Sequence, residues 1–291
     1  MAGRLEDKVA IVTGGGAGIG EAICHKFARE GARVVVNGLP DDPVEDVVKQ
    51  IRKQGGKAVA YLGDVSVESN AEACVQTALD EWGRLDVLVN NAGVFPATGV
   101  TEDFLVEDFD LLLRMNCRSA FLMTKFALPH LQKTQGNIVG AGSEAGLIGI
   151  AEVTPYGGTK GWMHSFIRGV AVEQAKHNVR ANCVCPGPID TAWTHTDTGP
   201  MNTRMEKMMI SATPLGRRGT PEEIANVYAF LASDEASYIT GALVSADGGI
   251  SIAKGPVGTE AGKDAKKQPE GELDLDQSMA GLENKDYHRV S

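Results

Sequence analysis

The sequence predicts a doubly wound α/β fold, in which helices cover both faces of a seven-stranded parallel sheet. Short β-branched or apolar runs alternate along the chain with longer segments whose apolar residues recur at every third or fourth position. This alternation is typical of parallel strands that are joined by right-handed crossover helices. A glycine-rich turn follows the first strand-like run, which favours an open sheet that binds a ligand at its carboxyl edge.

The predicted strands are short, and each is bounded by turn-forming or polar residues. In chain order they are Val9–Thr13, Arg33–Asn37, Ala58–Leu62, Val87–Asn90, Asn137–Ala141, Arg180–Cys185 and Leu243–Ala246. The segments between them have helical periodicity, as crossover helices require. The predicted helices are Ile19–Glu30, Val44–Gln54, Glu68–Trp82, Asp108–Thr134, Pro155–His177 and Pro221–Leu231. Together these elements predict a Rossmann-type arrangement.

The chain divides into one predicted domain and a C-terminal extension. Residues 1–254 contain no strong linker and no internal repeat, so we predict that they form a single domain. Residues 255–291 are rich in Gly, Lys, Glu and Asp. We expect this extension to dock on the same or a neighbouring subunit, bordering Pro188–Leu215; the alternative is a solvated tail. Its sparse apolar anchors are Leu273, Leu275, Met279, Leu282 and Tyr287.

Composition excludes several classes of partner. The net charge is −10 and no basic run stands out, which argues against a nucleic-acid partner. The sequence lacks a signal peptide and an apolar run of the roughly 20 residues that cross a membrane, so we expect a cytoplasmic protein. The five cysteines predict buried free thiols rather than disulfides. Cys183 and Cys185 form a CxC pair with no histidine cluster nearby in sequence, and we predict no metal site.

The turn after the first strand carries glycines at Gly14, Gly18 and Gly20, in a G-x3-G-x-G spacing. Glycine allows a strand to turn sharply into a helix and lets backbone N–H groups approach a pyrophosphate. A glycine-rich turn without a ligand is the alternative. Two further segments, Asp64–Val65 and Asn90–Gly93, follow strands at the same edge of the sheet. Each is compatible with ordinary turn chemistry, but their co-occurrence indicates a ligand-binding edge.

A helix beginning near Thr154 places Tyr156 and Lys160 on one face, because the two residues are four positions apart. A nearby ammonium favours the phenolate, so this pair predicts a tyrosine acid/base with a lowered pKa. An isolated pair of this kind is usually a surface tyrosine and a solvated lysine. Ser143 follows a strand thirteen residues earlier and can hydrogen-bond a substrate oxygen. Asn116 lies inside a helix, where either a buried network or a solvent-facing position is possible.

These motifs together resemble the short-chain dehydrogenase/reductase family over residues 5 to about 250. Thr220–Ile224, Ile239–Leu243 and Asp247–Gly249 complete the resemblance. It implies a catalytic tetrad in which Tyr156 transfers the proton, Ser143 orients the substrate oxygen, Lys160 holds ribose hydroxyls and Asn116 anchors a proton-relay water. Its implied cofactor contacts are Gly14, Gly18, Ile19, Gly20, Gly38, Asp64, Val65, Asn91, Ala92, Gly93, Tyr156, Lys160, Pro186, Gly187, Ile189 and Thr191.

The resemblance implies a nicotinamide cofactor, and two positions favour NAD over NADP. Gly38 stands where NAD-selective members have an acid, and neither an acid nor a cation is evident there. Ala17 stands where NADP-preferring members often have a basic residue. We expect Gly38→Asp to strengthen the preference for NAD. The sequence departs from the family at Gly157 and Gly158, which suggests a close backbone contact there, and at Gly142, which precedes the serine.

The segment Pro188–Leu215 is long for a connection and predicts a substrate loop. Its apolar side chains either line the substrate site or pack a small helix against the sheet; they are Trp193, Met201, Met205, Met208 and Met209. Phe95, Leu147 and Ile148 are further candidates for the cleft wall.

These residues predict a small, uncharged or apolar secondary alcohol or ketone as substrate. The resemblance implies a homo-oligomer, a dimer or tetramer, assembled through the helices that contain Asn116 and Tyr156. Two alternatives stay open: an NADPH-dependent 3-oxoacyl thioester reductase, and a nucleotide-binding protein with an idle site.

Overall fold

The computed structural model describes residues 3–273. Its seven strands form one parallel sheet in the order β3-β2-β1-β4-β5-β6-β7. The strands are β1 Val9–Val12, β2 Arg33–Gly38, β3 Lys57–Leu62, β4 Val87–Asn90, β5 Asn137–Ala141, β6 Arg180–Pro186 and β7 Leu243–Ala246. This sheet confirms the doubly wound fold, and each predicted strand lies within one residue of its observed bounds.

The principal helices follow the strands as predicted, with two differences. They are α1 Gly18–Arg29, α2 Val44–Lys53, α3 Glu68–Trp82, α4 Val106–Leu112, α5 Ser119–Thr134, α6 Thr154–Gln174, α7 Thr203–Ala212, α8 Pro221–Ala232 and α9 Lys263–Lys266. The helix predicted over Asp108–Thr134 is present, but a π-helical segment, Leu113–Arg118, lies within it between α4 and α5. The substrate loop contains a ten-residue helix, α7, where the sequence had offered a small helix as one of two alternatives.

Alternate residues of the central strands are buried in opposite layers. Ala10 and Val12 face a core formed with α1, α2 and α8, whereas Val9 and Ile11 face a core formed with α3, α5 and α6. This period of two follows from the pleat of a strand, and a sheet buried on both faces needs apolar residues at every position. All five cysteines are buried free thiols, as predicted.

The chain order reverses direction at β1, which lies between β2 and β4. From β1 the chain adds β2 and β3 on one side, and it then returns to add β4, β5, β6 and β7 on the other side. The loops at the carboxyl ends of β1 and β4 therefore diverge and leave a crevice, which is where open α/β sheets bind ligands. The glycine turn and Asn91 both lie at this point.

The extension after Lys254 contacts its own chain. The backbone of Gly258 packs against the last turn of α7, where a side chain would clash with the Ile210, Ser211 and Thr213 carbonyl oxygens. Glu272 pairs with Arg29 at 2.7 Å and Leu273 packs against the α1, α2 and α8 core. The other expected anchors, Leu275, Met279, Leu282 and Tyr287, lie outside the described residues. Within residues 3–273, every helix is too short or too polar to span a bilayer.

Candidate active site

The turn between β1 and α1 is shaped so that only glycine fits at its key positions. Gly14 and Gly18 have φ angles of 63° and 56°, a region that disfavours side chains. A Cβ on Gly20 would lie 1.9 Å from the Gly14 carbonyl oxygen, and one on Gly14 would lie 3.0 Å from the Ala92 Cα. The turn therefore presents bare backbone and the first N–H groups of α1 to the crevice, which fits a pyrophosphate.

Asn91 and Thr13 hold this turn in place. The Asn91 Nδ2 donates to the carbonyl oxygens of Thr13 and Gly14, at 3.0 and 3.2 Å. The Thr13 Oγ1 accepts from the Asn91 and Ala92 N–H groups, both at 3.0 Å. Because these bonds join the carboxyl ends of β1 and β4, they hold the two loops beside the crevice in fixed positions.

An acidic side chain does lie at the end of β2, although the sequence showed none at Gly38. Asp42 accepts a hydrogen bond from the Leu39 N–H at 2.7 Å. A Cβ placed on Gly38 would lie 2.8 Å from the Asp42 Oδ2 and 2.5 Å from the Val44 Cγ2. Asp42 thus occupies the side-chain space of Gly38 and lines the cleft. A side chain at Gly38 would therefore have to displace Asp42 and Val44, and the expectation that Gly38→Asp strengthens the preference for NAD stays a prediction.

Tyr156 and Lys160 lie one turn apart in α6. The Lys160 Nζ donates to the Ala141 carbonyl oxygen at 2.9 Å and lies 5.5 Å from the Tyr156 ring centroid. Burial lowers the pKa of Lys160, and the nearby cysteines, with Cys183 the foremost, oppose that change. Desolvation raises the pKa of Tyr156 well above its usual range; Glu144 adds to the rise and the Ser143 hydroxyl opposes it. The lowering of the tyrosine pKa that the sequence predicts is therefore absent in this structure, because desolvation and the charge of Glu144 both raise that pKa.

Ser143 is the second residue after β5 and lines the same cleft. Its Oγ accepts from the Ala145 N–H at 3.1 Å and donates to the Glu144 Oε2 at 3.0 Å. Glu144 was not singled out from the sequence, yet it is only 6% exposed. Its burial raises the pKa of this carboxyl to about 7. The available signal was an acid placed next to Ser143, three residues after a strand that ends at the ligand-binding edge.

Asn116 lies in the π-helical segment and is buried, so a solvent-facing position is excluded. Its Oδ1 accepts from the Val94 N–H at 2.7 Å, and its Nδ2 donates to the Val94 carbonyl oxygen at 3.0 Å. The Nδ2 also lies 3.1 Å from the Thr159 Oγ1 in α6. The wider helical turn therefore joins the loop after β4 to the helix that carries Tyr156, a use often found for π-helical turns at functional sites.

The glycines that depart from the family pattern make close contacts. A Cβ on Gly157 would lie 2.6 Å from the Ala145 carbonyl oxygen, so the expected close approach is present there, whereas Gly158 faces open space among the described residues. A Cβ on Gly142 would lie 2.5 Å from the His164 Nε2 and 2.8 Å from the Cys183 Sγ. His164 reaches from α6 to within 3.2 Å of the Cys185 Sγ. A histidine therefore adjoins the CxC pair, contrary to expectation, and the prediction of no metal there stays a prediction.

The predicted residues converge on one cleft of about 510 Å³. Every predicted cofactor contact lines it, together with Ser143; Asn116 lies behind its wall. The predicted loop residues Trp193, Met201, Met205, Met208 and Met209 also line the cleft. Phe95 does so too, with its ring centroid 4.7 Å from that of Tyr156. Leu147 and Ile148 do not line the cleft; Ile150 and Val153 take that place.

Comparisons with known proteins agree with this geometry. A family model described as enoyl-(acyl carrier protein) reductase matches residues 14–251. An uncharacterized oxidoreductase of Bacillus subtilis, YxbG, is 37% identical over 252 residues, which are 85% of this chain and 92% of the relative. The 3-oxoacyl-[acyl-carrier-protein] reductase FabG of Thermotoga maritima is 36% identical over 255 residues, 86% of this chain and 100% of the relative.

A solved structure is also similar to this chain in sequence and fold. It is a mutant short-chain dehydrogenase/reductase of Serratia marcescens, which is 34% identical and superposes with a TM-score of 0.78. The match covers 85% of this chain and 99% of that one.

Proposed function

The chain belongs to the short-chain dehydrogenase/reductase family, and on that premise we propose that it is an NAD-dependent oxidoreductase that interconverts a secondary alcohol and a ketone. The observation that carries the proposal is the meeting, in one cleft, of a side-chain-free glycine turn and the polar groups of Ser143, Tyr156 and Lys160. Neither half alone would suffice, since the first can only bind a nucleotide and the second can only move a proton.

The nucleotide would be bound mainly by backbone groups of this chain. The glycine turn would contact the pyrophosphate, Asp64 and Val65 would contact the adenine, and Asn91–Gly93 with Pro186–Thr191 would flank the nicotinamide. When bound, the nicotinamide ring supplies the hydride acceptor or donor. The fit rests on the crowding at Gly14 and Gly20, where a side chain would collide with neighbouring backbone and force open the turn that presents its N–H groups to the phosphates.

The proton would pass through Tyr156. In reduction the phenol O–H donates its proton to the substrate oxygen, and in oxidation the same oxygen takes the alcohol proton. The Ser143 Oγ hydrogen-bonds that oxygen as negative charge develops on it. The ammonium of Lys160 stabilises a phenolate at Tyr156, which lies close to it. Asn116 fixes the loop at Val94 relative to α6 and so keeps these groups in register.

Two observations favour NAD over NADP. The carboxylate of Asp42 at the end of β2 can accept hydrogen bonds from ribose hydroxyls and would repel a 2′-phosphate. Ala17, in the glycine turn, offers no cation to neutralise such a phosphate. The alternative, 3-oxoacyl thioester reduction with NADPH, is favoured by the 36% identity to FabG. A net charge of −10 makes an acidic carrier protein a poor partner for this surface.

The substrate is a small, uncharged or apolar molecule. Phe95, Val153 and Met205 form a buried apolar cluster beside Tyr156, and Trp193 and Met201 pack on it. Methionines provide an adaptable wall that offers little to a charged group. A nucleotide-binding protein with an idle site would have no chemical need for all four polar groups together, which makes that alternative weaker.

The setting would be a cytoplasmic homo-oligomer, either a dimer or a tetramer. Free buried thiols suit a reducing compartment. Val106 in α4 and Phe121 in α5 are 68% and 49% exposed, which gives these helices an apolar face that a second subunit could cover.

A panel of secondary alcohols and ketones, assayed with NAD(H) and NADP(H) through the absorbance of the reduced cofactor, tests the proposal. We expect turnover of uncharged substrates with a higher kcat/KM for NAD(H). Turnover confined to 3-oxoacyl thioesters with NADPH would support the alternative. Nucleotide binding without any turnover would support the idle-site protein.

A further inference from the structure

Glu144 is a buried acid beside Ser143 that the mechanism above does not use. It lies in the short turn Glu144–Gly146 after β5 and lines the cleft, and only 6% of its surface is exposed. Its Oε2 accepts the hydrogen bond from the Ser143 Oγ at 3.0 Å. A carboxyl in such a place is costly to ionise, so its protonation state is sensitive to its neighbours.

The hydrogen bonds of Ser143 limit what it can offer a substrate. A serine hydroxyl has one proton to donate. Here the Ser143 Oγ accepts from the Ala145 N–H and gives its proton to Glu144. While Glu144 is ionised it can only accept, so this proton is drawn away from a substrate oxygen. Once Glu144 is protonated it can donate to the Ser143 Oγ, and the serine proton is then free to turn towards the substrate.

The groups around Glu144 place this change near neutral pH. Burial raises the pKa of Glu144 to about 7; the hydrogen bond from Ser143 opposes the rise, and the charges of Asp247 and Cys185 add to it. Asp247 follows β7 and Cys185 lies in β6 beside His164 of α6. The Lys160 ammonium, also in α6, is bound to the Ala141 carbonyl oxygen. Ionised Glu144 also raises the pKa of Tyr156.

We propose that Glu144 is a positioning residue that controls Ser143: protonated Glu144 leaves the serine proton available to the substrate oxygen, and ionised Glu144 withdraws it. This inference rests on the proposed function, because it concerns the same substrate oxygen. It makes carbonyl reduction a reaction of the protonated form. Burial and the ionised Glu144 both raise the pKa of the Tyr156 phenol, which favours its protonated form in the same range.

The test is the pH dependence of kcat for ketone reduction. In the wild type we expect kcat to fall by up to about tenfold between about pH 6 and about pH 8, on either side of the Glu144 pKa of about 7. Glu144→Gln is neutral, and its amide can donate to the Ser143 Oγ at every pH, so the fall should disappear. The matched control is Glu152→Gln, because Glu152 pairs with Arg204 at 2.7 Å and does not line the cleft; it should keep the wild-type profile.

If Glu144 has only a structural role, Glu144→Gln will change the melting temperature but keep the wild-type pH dependence of kcat. That result would overturn the proposal. If Glu144→Gln does not fold, the residual activity of Ser143→Ala decides. Without the serine the fall should vanish, and its persistence would contradict the proposal. If the wild type turns over no carbonyl compound, the proposed function itself is contradicted. If it does, but the fall in kcat with pH persists in both Glu144→Gln and Ser143→Ala, only the role of Glu144 is contradicted.

Discussion

The two sides of the cleft are built differently. The nucleotide side is formed by backbone: the glycine turn, braced by Asn91 and Thr13, packs so closely on itself that side chains at Gly14 and Gly20 would clash. The substrate side is formed by side chains, and Phe95, Met205 and Trp193 make up its wall. A backbone surface recognises what all relatives share, whereas a wall of flexible side chains can change its ligand without a change of fold. The comparison teaches that cofactor class follows from the fold and that substrate identity does not.

The largest effect should come from Tyr156→Phe, which removes the transferable proton and keeps the ring. We expect kcat to fall by about 10³-fold, within the range for a lost general acid, while the Kd for NAD stays within a factor of about two. Steady-state kinetics and calorimetric titration measure the two quantities. Retention of more than about a tenth of the wild-type kcat would remove Tyr156 from the mechanism.

Gly20→Ala should damage the nucleotide side alone. Its methyl group would lie 1.9 Å from the Gly14 carbonyl oxygen, so the turn must open, and we expect the Kd for NAD to rise about tenfold or more. Gly169→Ala is the control, because Gly169 in α6 faces open space among the described residues. It should raise the melting temperature slightly and leave the Kd unchanged. Equal Kd values for both variants would contradict a backbone-built pyrophosphate site.

Asp42→Asn should weaken the choice between the two nicotinamides. Loss of the carboxylate removes the repulsion of a 2′-phosphate, so the ratio of kcat/KM for NAD to that for NADP should fall by about tenfold. Asp41→Asn, at the exposed neighbouring position, serves as control and should keep the ratio. An unchanged ratio in Asp42→Asn, or a wild type that prefers NADP, would show that Asp42 does not select the cofactor.

The smallest effect should come from truncation after Lys254, which removes the contact between Gly258 and the last turn of α7. We expect the KM for substrate to rise by about threefold, because α7 carries part of the substrate wall, and the Kd for NAD to stay as it was. Truncation after Leu273 keeps the described contacts and should match the full chain. If both truncated proteins match the full chain in kinetics and melting temperature, the extension has no docking role.

The same comparison explains what could be predicted from the sequence. The strands were found because buried parallel strands need uninterrupted apolar runs such as Val34–Val36. The nucleotide side was found because glycine spacing is a local signal of backbone shape. The tetrad was predicted from the resemblance, since an i, i+4 pair alone is common.

The missed features depend on contacts between distant segments. Asp42 reaches the end of β2 only because the chain folds back after Leu39, and Glu144 matters only because the surrounding fold buries it. The π-helical segment follows from the bonds of Asn116 to Val94 and Thr159, which no local pattern encodes. The wall residues Ile150 and Val153 were missed, and Leu147 and Ile148 were wrongly included, because the turn after Ser143 sets which side chains face the cleft.

Transfer of deuterium from nicotinamide deuterated at the reactive ring carbon tests the central claim most directly. The wild type, incubated with labelled reduced NAD and a ketone that it reduces, should yield an alcohol with one deuterium on the carbinol carbon, as mass spectrometry would show. Tyr156→Phe should bind the labelled cofactor and form almost no labelled alcohol. An alcohol without deuterium, or equal labelling by Tyr156→Phe, would contradict a site in which a backbone-held nicotinamide gives the hydride and Tyr156 gives the proton.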